Sequence, residues 1–65
     1  MRIHVNGQAL EPAARTLLAL LIELGYGDAR VGTAVNNAFV REKDRSTTML
    51  NDDDAVEIVA PRQGG

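Results

Sequence analysis

Residues 55–60 read AVEIVA, preceded by the cluster NDDD at 51–54 and followed by Pro61. Val56, Ile58 and Ala60 fall on one side of an extended chain, with Glu57 and Val59 on the other, the period-two signature of a half-buried strand. Asn and Asp favour turns and tolerate left-handed backbone, and proline has no N–H to give a ladder, so both boundaries of the run have a physical cause. One strand cannot bury its apolar face alone. Its position after every other patterned segment makes its pairing the choice on which the fold turns.

The partners are read by working outward. In MRIHVN (1–6), Met1, Ile3 and Val5 alternate with Arg2, His4 and Asn6. Asn6-Gly7 then supplies two residues that accept positive φ, and QALEP (8–12) returns as the second arm of a hairpin that Pro12 ends. TLLALLIEL (16–24) places Leu17, Leu20, Leu21 and Leu24 on one helical face, widened by Leu18 and Ile22. Thr16 is the expected N-cap, although Ala19 cannot complete a capping box, and Gly25 stands where a left-handed C-terminal cap is wanted; a start nearer Pro12 stays open. VGTAV and AFV, joined by Asn36-Asn37, read as a second hairpin. REKDRSTTML (41–50) is polar and without clear period, a connection with room for one short helical turn.

Hairpin, helix, hairpin and last strand form a short menu of topologies. The helix is a crossover, and a last strand lying parallel to the first would close a mixed sheet with the helical leucines meeting Met1, Ile3, Val5, Val56 and Ile58. The expected fold is α+β: a β-grasp, or ubiquitin-like, mixed sheet of four to five strands with one main helix on one face. The β-grasp domain is expected over 1–61, with 62–65 as a flexible C-terminal tail ending in Gly-Gly.

Composition narrows the function. A chain of 65 residues buries only about 60% of its unfolded surface, which leaves little for an enclosed active site. Without cysteine there is no disulfide framework, thiolate zinc site or nucleophilic thiol. Seven basic and nine acidic residues, net −2, are spread along the chain with no basic stripe for a row of phosphates, so nucleic acid is not expected as a partner. No window approaches the ~20 apolar residues of a membrane span, and the reading is a cytoplasmic protein with no membrane association. His4 has no second ligand or base at a recognisable spacing, Asp52–Asp54 lack the spacing of a calcium loop, and Ser46 and the threonines have no general base nearby. No catalytic residue and no metal ligand is assigned, and the chain is not expected to be an enzyme.

The ending Arg62, Gln63, Gly64, Gly65 remains. Two glycines can thread a channel too narrow for side chains and present a carboxylate to a reactant. Such a carboxylate is inert until its oxygen becomes a leaving group, and no phosphate-binding loop exists here to bring ATP to it, so a partner must supply that site. Glu57 and Val59 are expected on the face the helix leaves open, where an exposed apolar residue can dock a larger partner. Phe39 is a further docking candidate whose face the pattern leaves undecided.

MRIHVNGQ, TLLALLIELGY, AVNNAFV and VEIVAPRQGG together resemble the ThiS family, the small sulfur carriers of bacterial thiamine thiazole biosynthesis, over essentially the whole chain. Departures from the family pattern are Asp53 in the place of a usual turn glycine, Arg41 where a proline often stands, and Arg45 near a usual aromatic position. The resemblance implies that Gly65 is the modified residue and that Arg62, Gln63, Gly64 and Gly65 enter a partner's active site. A ThiF-like adenylating enzyme would spend ATP on the carboxylate, a persulfide donor would convert it to a thiocarboxylate, and a ThiG-like thiazole synthase would take the sulfur. The chain itself would bind no cofactor. Three other readings stand beside this one: a carrier for molybdopterin or another sulfur pathway, a ubiquitin-like protein modifier, and a β-grasp interaction module whose tail is incidental.

Overall fold

Two tight turns set the frame. Asn6 and Gly7 have φ of 50° and 86°, and Asn36 and Asn37 have φ of 51° and 69°, the paired positive values that match a two-residue turn to the twist of its strands. The first joins β1 (Ile3–Val5) to β2 (Gln8–Leu10), and the second joins β3 (Gly32–Val35) to β4 (Ala38–Val40). The computed structural model describes residues 1–61. The expected tail, Arg62–Gly65, lies outside the described residues.

The last strand, β5 (Ala55–Val59), enters between the hairpins and gives the order β2-β1-β5-β3-β4. It runs parallel to β1, with His4 opposite Ala55 and Val5 opposite Val56, and antiparallel to β3, with Thr33 opposite Ile58. This is the mixed five-stranded β-grasp sheet with one main helix. Its central strand is the last to arrive in sequence, so the sheet closes only through long-range pairing.

The helix α1 (Leu17–Glu23) is short, and a segment of that length is not stable alone. Thr16 caps it: its Oγ1 accepts from the Ala19 N–H at 3.1 Å. At the other end Gly25 takes φ of 91°, letting its N–H donate to Ile22 O and the Tyr26 N–H donate to Leu21 O, the paired closure that a glycine past a helix end permits. Residues 11–15 are not helical, so the earlier start near Pro12 does not occur. Instead the Ala13 and Ala14 N–H groups donate to the Glu23 carboxylate, tying the loop after β2 to the helix end.

Ile3, Val5, Ala14, Leu17, Leu20, Leu21, Leu50, Val56 and Ile58 form the core between helix and sheet. Each fully buried Leu or Ile contributes on the order of 1.5–3 kcal/mol of transfer free energy. Three expectations need correction. Met1, at 42% exposed, precedes the first paired residue and stays outside the core. Leu18 and Ile22 are 39% and 60% exposed because the apolar stripe is narrower than the sequence suggests, and Ala60 is exposed because β5 stops at Val59.

The polar connection at 41–50 does more than link. A 3₁₀ segment spans Glu42–Thr47, and Arg45 within it is only 8% exposed. Its Nε donates to Thr33 Oγ1 at 3.1 Å and its Nη2 to Val31 O at 2.6 Å, while the Thr33 hydroxyl donates to Val40 O. The long arginine side chain thus occupies a buried place, with its polar end bonded to β3 and the residue before it. Arg41 has φ of −70°, within the range a proline ring imposes, so the backbone there is the one proline would give.

Candidate functional site: the open sheet face and the end of β5

The helix covers one face of the sheet and leaves the other bare. Burial along β5 alternates strictly, with Val56 and Ile58 buried and Ala55, Glu57 and Val59 exposed. Glu57 and Val59 therefore stand on the open face, as the alternation predicts. The pairing also resolves Phe39. It lies opposite Ala34, which lies opposite Glu57, and residues directly opposite each other in a sheet share a face. Phe39 is 73% exposed and Val59 67% exposed.

The strand between them carries only Gly32, opposite Val59, and Ala34. With no large side chain on this side of β3, the open face has a shallow apolar floor with Phe39 on β4 and Val59 on β5 standing above it, and Glu57 as the single charge in the row. A Cβ built on Gly32 would meet no atom within 4 Å, so that floor is open space. The sequence reading named the two standing residues and missed the floor, because small residues give no signal until pairing sets them side by side.

Beyond Val59 the chain leaves the sheet at Ala60 and Pro61, both exposed. These two residues border a depression of about 410 Å³ whose other wall is Asp28, Ala29 and Arg30 from the loop after α1. A second depression of about 570 Å³ shares Asp28, Ala29 and Arg30 and reaches Glu42 and Arg45. Neither brings together an acid, a base and a nucleophile. Among the described residues no group of three His, Cys, Asp or Glu converges as metal ligands, and no helix is long and apolar enough to cross a membrane.

What the described part offers is thus a presenting surface with an outgoing strand at its centre. A family model described as the ThiS family matches residues 2–65, from the start of β1 through the glycine pair. This chain belongs to the ThiS family. A crystal structure of the thiamine biosynthesis protein ThiS from Geobacter metallireducens superposes with a TM-score of 0.83 at 26% identity, covering all of both chains. A solution structure of a thiamine biosynthesis protein from the same organism gives 0.81 at 26% identity, covering all of this chain and 88% of that one. In sequence, a thiazole synthase of Magnetococcus marinus is 35% identical over 66 residues, covering the whole of this chain and 20% of that protein. The chain therefore spans about a fifth of the length of the curated relative it matches. Both solved neighbours are thus proteins of thiamine biosynthesis.

The departures from the family pattern can be placed. Asp53 takes φ of 70°, the left-handed geometry for which glycine is usual and aspartate is among the better substitutes. Its N–H donates to Arg2 O at 2.7 Å, and the neighbouring Asp52 carboxylate accepts from the Arg2 N–H at 2.8 Å. The turn keeps its shape with a different residue.

Proposed function

We propose that this chain carries sulfur for thiazole formation in thiamine biosynthesis as a thiocarboxylate on Gly65. The carrying observation is that the family match continues past the sheet to Gly65. The absence of cysteine supports it, since the chain has no thiol on which sulfur could travel. The likeness to a thiazole synthase supports the choice of sulfur acceptor.

In this reading the Gly65 carboxylate, held in a ThiF-like adenylating enzyme, attacks the α-phosphorus of ATP and releases pyrophosphate, giving an acyl-adenylate. The outer sulfur of a persulfide then attacks the acyl carbon and AMP leaves. A second thiol cleaves the resulting sulfur–sulfur bond, leaving the thiocarboxylate and a disulfide. The anionic sulfur is a nucleophile without a local base, ready for a ThiG-like thiazole synthase. ATP belongs to the adenylating enzyme's site, and this chain acts as co-substrate. Arg62, Gln63, Gly64 and Gly65 enter the partner's channel, where the paired glycines meet the least steric obstruction. Phe39 and Val59, flanking Gly32 and Ala34, dock the partner's apolar surface, with Glu57 setting register; an apolar centre with a sparse charge is the pattern of a transient interface.

The test is intact mass spectrometry after incubation with ATP, an adenylating partner and a sulfur source. Exchange of one carboxyl oxygen for sulfur at Gly65 is the expected product. Deleting Gly64 and Gly65 is expected to abolish that product and leave the melting transition within about 0.5 kcal/mol of the parent. Equal sulfur incorporation by the deleted chain would falsify the reading.

A further inference from the structure

The parallel ladder between β1 and β5 stops early. The Asn6 N–H donates to Val56 O at 2.9 Å, and a regular ladder would then bring the next backbone carbonyl and N–H of the first strand to the N–H and C=O of Ile58. The chain cannot supply them, because Asn6 and Gly7 turn it back into β2 with positive φ. The side chain of Asn6 takes their place. Its Oδ1 accepts from the Ile58 N–H at 2.9 Å, and its Nδ2 donates to Ile58 O at 3.1 Å. Only this orientation of the amide satisfies both groups.

Ile58 is therefore bonded on the β1 side by a side chain and not by a strand, while Val59 pairs with Gly32 on the β3 side. After these two residues come the exposed Ala60 and Pro61. We propose that Asn6 is a positioning residue for the outgoing end of β5: its amide fixes the point and direction at which the chain leaves the sheet toward Gly65, and so governs capture by the adenylating partner. This rests on the carrier reading above. Physically, residues released from the sheet must be ordered again when a partner captures the tail, and ordering one residue is worth roughly a tenfold change in an equilibrium constant. Releasing Ile58 and Val59 should weaken capture without altering the chemistry at the carboxylate.

The test uses the full chain with its adenylating enzyme, reading ATP–pyrophosphate exchange as a function of carrier concentration and amide hydrogen exchange in the free carrier. Asn6→Gly removes both bonds without backbone strain, and Asn6→Asp keeps the acceptor for the Ile58 N–H but cannot donate to Ile58 O. Asn37→Gly, in the other hairpin turn, is the control for a turn substitution alone. The Asn6→Gly chain is expected to lose at least about tenfold protection at Ile58 and to raise KM for the carrier by about tenfold, with kcat within about twofold. Asn6→Asp should fall between, and Asn37→Gly should change neither. Unchanged KM in a folded Asn6→Gly chain, whatever happens at Ile58, overturns the positioning role alone. A parent chain that supports no pyrophosphate exchange overturns the carrier reading and takes the positioning role with it.

Discussion

At the incoming end of β5, Asn36 of the second hairpin turn bonds to Ala55 through its backbone N–H and its Oδ1; at the outgoing end, Asn6 of the first turn bonds to Ile58. The two asparagines occupy equivalent turn positions and both have φ near 50°. Their surroundings differ. Asn36 is backed by Asp54, only 7% exposed, whose carboxylate accepts from Asn36 Nδ2 and from the Asn51 N–H. Asn6 has no such backing, and the residues after its partner, Ala60 and Pro61, are exposed. One device thus serves two purposes: at the incoming end it holds the central strand in place, and at the outgoing end it sets where the chain departs.

The comparison can be broken from the core outward. Leu21→Ala removes a nearly fully buried side chain of the core between helix and sheet and is expected to cost on the order of 2–5 kcal/mol in denaturant unfolding; a loss below about 1 kcal/mol would mean the helix does not anchor the sheet. Asp54→Ala strips the acceptor from two donors, with an expected loss of about 1–3 kcal/mol. Amide exchange should then quicken at Ala55 and Asn51 before Ile58, and equal quickening at both ends would mean that the two ends of β5 are held alike. The smallest effect is expected from Asp53→Gly, which relieves an aspartate at φ of 70° and should raise stability by about 0.5 kcal/mol. A loss of stability would show that the aspartate is held by contacts outweighing its backbone strain.

Much of this was legible beforehand where a local rule carried it. Asn6-Gly7 and Asn36-Asn37 announced both hairpins, Thr16 and Gly25 bounded the helix, and the alternation in β5 put Glu57 and Val59 on the open face. Other features needed neighbours that sequence does not name. Arg45 sits in a polar stretch without period, and its burial depends on acceptors at Val31 and Thr33. Leu50 and Ala14 join the core from outside any patterned segment.

The sequence by itself determined which segments extend, which turn and which coil, because these follow from backbone sterics and short-range periodicity. Only the tertiary structure decided that the last strand lies at the sheet's centre, that Phe39 shares a face with Glu57 and Val59, and that Asn6 reaches Ile58 and not solvent. Those facts depend on register between residues far apart in the chain, and register is fixed by closure of the common core, not by any residue's own preference.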